Sequence, residues 1–398
     1  HRAGRSTAEL LPALVDAAAR AIPARKRMRW GVPGVTFPRP VHWVVLLFGD
    51  DSIDATVLGE ADGRETRGHR FHHPAPIELD RPAHYEHRLF DPGWVVAGFE
   101  DRMHRIREQV TTAARATGSE ADPDTAPLEE VASLVERPVA VAGHFDRRFL
   151  DVPAEALVAV MKDHQKYFPV HDAHGHLLPV FVTVSNIASG EPETVRAGNE
   201  RVIEPRLADA EFFWDQDRKR PLAQRLEGLR QMVFQRRLGT LHDRTLRIAE
   251  LAGRLAEWLG ADADSAREAG RLAKCDLLTE MVGEFPELQG VMGGYYARHE
   301  GYAEAVARAI AEHYRPAFAG DHLPGTPEGR ALALADRLDV LVGIFAIGQG
   351  PTGDKDPFAL RRAALGALRI MIESGLDLDL EQALTEAARQ YEPAIEAE

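Results

Sequence analysis

The 398-residue sequence contains a single cysteine, Cys275, and lacks any run of about eighteen apolar residues. One cysteine excludes an internal disulfide framework and is typical of a reducing compartment such as the cytoplasm. The missing apolar run predicts that no segment spans a membrane. No apolar signal segment opens the chain. It begins with His1 rather than methionine, so we expect a fragment of a longer protein.

Basic residues are outnumbered, with 48 Lys and Arg against 62 Asp and Glu and a net charge of −14. Phosphate contacts need Lys and Arg, so this balance argues against a protein that coats nucleic acid along its whole surface. The same charge balance still allows a local basic surface on an otherwise acidic protein. An apolar fraction of 44% indicates a globular chain, and the length predicts two or three domains.

Common catalytic patterns are missing as well. The sequence has no HExxH, no GxGxxG after a strand, no Ser-His-Asp order and no paired cysteines. Residues 348–355, GQGPTGDK, resemble a phosphate loop, but Asp354 separates the last glycine from Lys355 and a helix precedes the loop. A glycine-rich helix connection is favoured there, with a nucleotide-binding switch as an alternative. No self-sufficient catalytic site is therefore predicted.

The first half of the chain mixes strand and helix patterns, whereas the second half is nearly all helical. Apolar residues recur at spacings of three and four from Leu238 to Leu259, which predicts one amphipathic helix. The glycine- and tyrosine-rich segment 283–302 predicts close packing or a docking surface. His299 and His313 are assigned no role. Further helices are predicted over residues 264–282, 301–316, 328–347 and 357–374, the last with Asp356 as N-cap and Pro357 in its first turn.

Four residues of the helical half follow the order of the metal ligands in HD-type phosphohydrolases. Those enzymes take a His, a His-Asp pair and a later Asp from successive helices, and the bound ions activate water. Here His242, Asp276 and Asp336 occur in that order, but Cys275 replaces the key histidine. We expect a retained HD-like fold without its metal site. A metal-dependent phosphohydrolase is the alternative.

Several basic clusters have aromatic residues beside them. This mixture suits RNA, because cations meet phosphates and rings stack on exposed bases. Each cluster alone is also typical of a solvated surface. The candidate RNA- or partner-binding residues are Lys26, Arg27, Arg29, Arg67, Arg70, Lys162, His164, Lys166, Tyr167, Arg218, Lys219, Arg220, Lys355, Arg361 and Arg362.

Long segments of the sequence resemble the β subunit of the bacterial two-subunit glycyl-tRNA synthetase. The resemblance covers nearly the whole chain. It is carried by RMRWG, RPVHW, TRGHRFHHP, MKDHQKYFPV, TVSNIASGEPETVRAGNERVIEPRLADAEFFWDQDRK, EMVGEFPELQGVMGGYYA and IGQGPTGDKDPFALRRAALG.

The resemblance implies an α+β fold in three parts. Residues 1–218 would form a mixed α/β module similar to the B3/B4 module of phenylalanyl-tRNA synthetase β. Residues 219–375 would form an all-α HD-like domain, and residues 376–398 the start of a linker. In this family the position before Asp276 is commonly not histidine, which fits Cys275. Asp276 and Asp336 would then have structural roles, capping or pairing with arginines.

The resemblance also implies a function. The family enzyme attaches glycine to tRNA-Gly with ATP, and its separate α subunit carries the class II site with ATP and Mg. The β chain would be a non-catalytic, cytoplasmic tRNA-binding and assembly subunit without a cofactor, in an assembly of two copies of each subunit. The family's GTEELP-like opening and its anticodon-binding part are absent, so we expect the isolated chain to be inactive.

The segment MKDHQKYFPV, residues 161–170, is predicted to lie between a helix and a hairpin. Phe168 is expected to be buried and to anchor that hairpin. The alternative to a binding surface is a hydrogen-bonded junction in which Asp163 and Gln165 satisfy loop backbone. The residues expected to face either tRNA or the α subunit are Lys162, His164, Lys166 and Tyr167.

Overall fold

The computed structural model describes residues 4–31, 34–121 and 127–391. The chain forms two compact units, one containing residues 1–146 and 161–203 and the other residues 147–160 and 204–398. The mixture of helices with small sheets confirms an α+β class. Within the described residues, no helix combines the length and the apolar character that crossing a bilayer would require.

The first unit mixes helices with short strands. Its opening part contains α1 (Thr7–Ala21), β1 (Met28–Arg29), β2 (Thr36–Phe37), β3 (Val44–Val45), β4 (Leu47–Phe48), β5 (Asp51–Ser52), β6 (Thr56–Val57), β7 (Glu60–Gly63), β8 (Glu65–Arg67), β9 (Pro76–Glu78) and α2 (Tyr85–Phe90). Then come α3 (Phe99–Ala116), β10 (Glu120–Ala121), α4 (Pro127–Leu134) and β11 (Val139–His144). After α5 (Ala154–Ala159), which belongs to the second unit, the chain continues with β12 (Phe168–His171), β13 (Leu177–Ser185) and α6 (Pro192–Asp217).

The main sheet of the first unit has the antiparallel order β10-β12-β13-β11. Helix α3 packs against it because Ile106, Val110 and Ala114 repeat every four residues and so share one helix face. These residues are fully buried together with Phe168 and Val182 of the sheet. The prediction that Phe168 anchors the hairpin of β12 and β13 is therefore confirmed.

The second unit is built around one helix that is buried on nearly all sides. Residues 331–339 of this helix, α13 (Pro327–Ala346), are all buried, which is typical of a core helix. It packs against α8 (Leu241–Trp258), α9 (Ala263–Leu272), α12 (Glu304–Glu312), α14 (Leu360–Glu373) and α15 (Leu380–Arg389). The elements are α7 (Leu222–Arg225), β14 (Val233–Gln235), β15 (Gly239–Thr240), α8 (Leu241–Trp258), α9 (Ala263–Leu272), α10 (Glu280–Glu284), α11 (Val291–His299), α12 (Glu304–Glu312), α13 (Pro327–Ala346), α14 (Leu360–Glu373) and α15 (Leu380–Arg389).

Several predicted helix boundaries in the second unit are wrong. The helix predicted over 264–282 ends at Leu272, and a 3-10 turn, Cys275–Leu278, precedes α10. Thr279 then caps α10 by accepting from Val282 N. Helix α14 begins three residues after Pro357, although the Asp356 carboxylate still accepts from the first two helical N–H groups. The segment 283–302 contains α11, whose buried glycines allow close packing on α12.

Two predicted domain assignments also differ from the structure. Residues 219–375 are not purely helical, because β14 and β15 pair in a small hairpin. Residues 376–391, predicted as a linker, fold into the second unit: Asp379 caps α15, and the buried Tyr391 donates to Asp339 O at 3.0 Å. Residues 392–398 lie outside the described part. The first unit ends at Ile203, inside α6. The domain boundary at 218/219 stays a prediction.

Gly143 is predicted to be required for the main sheet. It pairs with Phe181 across β11 and β13, and a Cβ at this position would overlap the buried Phe181 ring. We expect Gly143→Ala to destabilise the first unit by about 1–3 kcal/mol. Because the sheet would open more often, hydrogen exchange of the β13 amides should be faster in Gly143→Ala than in the unsubstituted chain.

Gly198→Ala is the matched control. Gly198 is exposed on α6, and a Cβ there meets nothing within 4 Å. That substitution should stabilise the helix by about 0.5–1 kcal/mol. Unchanged β13 protection in Gly143→Ala would contradict the packing argument.

Candidate nucleic-acid interface and a buried charge cluster

A cluster of buried charges lies in the second unit, around Asp336, one of the residues that follow the order of HD metal ligands. Asp336 on α13 accepts a hydrogen bond from Arg244 Nη2 at 3.0 Å, and its Oδ1 lies 2.9 Å from Lys274 Nζ. Burial opposes ionisation of Asp336, but Lys274 and Arg244 outweigh it and lower the pKa of its carboxyl. Asp339, one turn later, pairs with Arg244 and Arg247. The carboxylates of Asp336 and Asp339 are thus paired with basic side chains, although a metal ion at this place would need them as ligands.

The cluster continues to His313, which the sequence did not suggest. Lys274 Nζ lies 2.8 Å from His313 Nε2, and His313 Nδ1 lies 2.6 Å from Ile310 O. A carbonyl only accepts, so Nδ1 carries the proton and Nε2 accepts from the lysine. Burial, then the charge of Lys274, lowers the pKa of His313 to about 3. Burial likewise lowers the pKa of Lys274 to about 8, against the pull of Asp336.

Two other residues at the positions compared with HD metal ligands, His242 and Cys275, are also buried. His242 is buried, with its Nε2 3.4 Å from Glu227. The Cys275 thiol donates to Arg271 O at 3.5 Å, and burial raises its pKa to about 12, which disfavours a thiolate ligand. Within residues 4–31, 34–121 and 127–391, no three His, Cys, Asp or Glu side chains are grouped to hold a metal ion.

Asp276 caps the start of α11. Its Oδ2 accepts from the backbone N–H groups of Gly290 and Gly293, and burial raises its pKa to about 6 although these bonds oppose the rise. Capping by Asp276 and pairing of Asp336 with an arginine are the structural roles that the family resemblance implied.

Predicted binding residues of the first unit lie on separate elements. Lys26, Arg27 and Arg29 are exposed, but Arg27 donates to the carbonyls of Arg20 and Ile22 at the end of α1 and so caps that helix. Arg67 on β8 and Arg70 in the following loop are exposed.

In the segment 161–170, Tyr167 does not face a partner. Its ring is buried and stacks on Phe181 at 4.6 Å, and its hydroxyl donates to Asn199 at 2.7 Å. Burial raises its pKa to about 12. The positive φ of Lys166 turns the chain so that Tyr167 N reaches Met161 O. His164 is exposed, Lys162 is half-buried, and Lys166 Nζ lies 2.9 Å from Glu130.

The basic residues of the second unit have largely local partners. At the end of α6, Arg218 lies over the Trp214 ring and pairs with Asp215, Lys219 donates to Gln216, and Arg220 donates to Gln224 O. Near α14, Arg361 donates to Gly353 O, while Lys355 is exposed in the preceding turn. Arg362 is also exposed and lines a cavity of about 450 Å³ beside the buried charge cluster.

The first unit contains a surface that sequence reasoning missed, which we call the Trp94 row: Arg105, Phe90, Arg137, Trp94 and His72. The Arg105 guanidinium lies 5.0 Å from the Phe90 ring centre, and that of Arg137 lies 5.1 Å from Phe90 and 4.8 Å from Trp94. His72 stacks on Trp94 at 4.6 Å. Phe90 is 40% and Trp94 38% exposed, so cations and rings alternate on an accessible surface.

Backbone contacts from distant segments hold this row in place. Asn186 Oδ1 accepts from the N–H groups of Glu136 and Arg137, and Asn186 O lies 2.6 Å from His69 Nε2. His69 N in turn donates to Gly93 O at 2.7 Å, just before Trp94. The resembling segments TRGHRFHHP and TVSNIASG thus meet at this surface. Arg105 and Arg137 were missed because each is isolated from other candidate residues in the sequence.

Comparison with known proteins identifies the family. A family model described as "Glycyl-tRNA synthetase beta subunit" matches residues 1–398. The class is thus that of aminoacyl-tRNA synthetase subunits. Within it, the chain belongs to the glycyl-tRNA synthetase beta subunit family.

Curated relatives agree, and each is named glycine–tRNA ligase beta subunit. The protein of Chromohalobacter salexigens is 54% identical over 395 residues, which is 99% of this chain and 57% of the relative. That of Hahella chejuensis is 54% identical over 95% of this chain and 55% of its own length. That of Klebsiella pneumoniae is 52% identical over 98% of this chain and 57% of its own length. The chain thus spans just over half the length of these relatives.

The buried, neutral His313 predicts acid lability of the second unit. Its pKa is about 3 in the folded chain against an ordinary 6.5, so between these values the unfolded state binds a proton that the folded state does not. The free energy of unfolding should fall as pH falls through this window, by up to about 1.4 kcal/mol per pH unit.

A comparison with His313→Gln isolates this contribution, because other titrating groups are common to both proteins. The stability advantage of the unsubstituted chain should shrink by about 2 kcal/mol between pH 6.5 and pH 5, measured by urea unfolding. A difference that does not vary with pH would contradict a neutral His313.

Proposed function

We propose that this chain is a tRNA-binding and assembly part of the β subunit of a two-subunit glycine–tRNA ligase. The ligase reaction is proposed from the family, because the chain covers only part of its relatives. The observation that supports an RNA-binding role is the Trp94 row of the first unit. It concentrates arginines and accessible rings in a chain whose net charge is −14.

The chemistry of the row fits RNA better than an acidic protein. Phe71 is 71% exposed beside the row and offers a ring face to an unpaired base. His72 Nε2 accepts from Ala188 N, and burial with the nearby His69 and Arg137 lowers its pKa, so His72 is neutral. Arginine therefore supplies the positive charge, and its planar group suits both phosphate and base stacking.

The assembly part of the proposal assigns the chemistry to a partner. The carboxylates of Asp336 and Asp339 are paired with Lys274, Arg244 and Arg247, which supports a structural role for the HD-like region. We assign the class II site, with its ATP and Mg, to an α subunit and propose a cytoplasmic ligase with two copies of each subunit. The mixed first unit and the helical second unit are consistent with B3/B4-like and HD-like domains.

Mixing this chain with a purified glycine–tRNA ligase α subunit tests the proposal. Size-exclusion chromatography with light scattering should give one peak whose mass contains both chains. Adding tRNA-Gly should shift that peak again, and the shift should weaken as salt is raised, since counterions are released from RNA phosphates on binding.

The same experiment without the α subunit separates the two roles. A tRNA shift with this chain alone would place RNA affinity within residues 1–398. Separate peaks for the two proteins together with no tRNA shift would contradict both parts of the proposal. A tRNA lacking the glycine identity serves as the specificity control.

A further inference from the structure

A small cleft of about 230 Å³ opens beside the Trp94 row. Two of its lining residues, Arg105 on α3 and Arg137 just before β11, are cationic. The others are apolar or have their polar groups engaged: Val96, Gln109, Pro138, Val139 and Ala188. Gln109 donates to Pro138 O and accepts from Ala140 N, so both ends of its amide are used.

The two arginine side chains have unused donors. Among the described residues, neither guanidinium makes a hydrogen bond or a salt bridge. Arg102, one turn before Arg105, shows the contrast: it donates to the carbonyls of Val96, Ala97 and Ala132. Arg102 is a structural residue, whereas the guanidiniums of Arg105 and Arg137 lie over aromatic rings.

The positions of both arginines are fixed before any ligand arrives. The backbone N–H of Arg137 is held by Asn186, and its guanidinium lies against both Phe90 and Trp94. Arg105 precedes the fully buried Ile106 on α3. Contact with the aromatic rings restrains each guanidinium while its N–H groups stay available to another partner, so less side-chain entropy is lost on binding.

We propose that this cleft binds one phosphate group, which both Arg105 and Arg137 contact. Arginine donates two parallel hydrogen bonds to a phosphate, and two guanidiniums can bind different oxygens of the same phosphodiester group. The cleft has room for one such group and a few waters. The inference rests on the proposed RNA-binding role, and the occupant is a backbone phosphate of tRNA. A free phosphate ion shares the chemistry, and the experiment distinguishes the two.

Substitutions in the complete two-subunit ligase test this site. Arg105→Gln and Arg137→Gln should each weaken tRNA-Gly binding by roughly 10-fold. Each should also reduce the slope of log affinity against log salt by about 0.7–0.9, the contribution of one phosphate. Because both arginines hold the same phosphate, the double variant should lose no more slope than either single variant.

Two further variants serve as controls. Arg115→Gln makes the same charge change in the last turn of α3, where Arg115 is exposed, and should leave the slope unchanged. Arg137→Lys keeps the charge but loses the planar fork, so it should retain most of the slope while affinity falls. Thermal unfolding of each variant checks the fold, and Arg105→Gln removes no intramolecular hydrogen bond.

The outcomes separate the site from the proposed function. If the unsubstituted ligase binds tRNA-Gly and the Arg105 and Arg137 variants behave like Arg115→Gln, the cleft is not a contact for RNA phosphate. The wider RNA-binding role would then stand. Calorimetric titration with inorganic phosphate is the second arm. Phosphate binding that is lost in Arg137→Gln, with tRNA affinity unchanged, would assign the cleft to a free anion and overturn the RNA occupant.

Discussion

The second unit depends on the ionised, buried carboxylate of Asp336. A carboxylate taken out of water is costly unless opposite charges and hydrogen bonds compensate it. Lys274 and Arg244 supply that compensation from two other segments, and the lysine in turn requires a neutral His313 as acceptor. One buried charge thus fixes the relative positions of α8, α12, α13 and the turn after α9. The same pairing surrounds Asp336 with positive side chains, so its carboxylate serves packing of the second unit.

The Trp94 row shows a different use of arginine. In the buried cluster, guanidinium groups donate to carboxylates. In the row they lie over aromatic rings, and their N–H groups make no hydrogen bond to a described residue. The difference follows from the neighbours, because the row has aromatic rings and His72, whose Nε2 accepts from Ala188 N, where the cluster has aspartates. A protein of net negative charge can in this way have a small cationic surface, although its overall charge repels nucleic acid.

The sequence predicted those features that depend on local hydrophobic periodicity or on long family motifs. The stripe from Leu238 to Leu259, the buried Phe168 and the structural character of Asp276 could all be anticipated. The Trp94 row could not be predicted, because its members are spread from residue 72 to 137 and come together through tertiary contacts such as those of Asn186 and His69. Tyr167 was misplaced because a π turn and a positive φ, neither visible in residue types, rotate it into the core.

Cys275 has a practical consequence. Its thiol is fully buried and its pKa is raised to about 12, so alkylating or oxidising reagents meet neither an accessible sulfur nor a thiolate. It is also the single cysteine of the sequence. The rate at which a thiol reagent labels the chain therefore measures how often the turn between α9 and α10 opens and exposes Cys275. The labelling rate of Cys275 thus reports local opening of the core of the second unit.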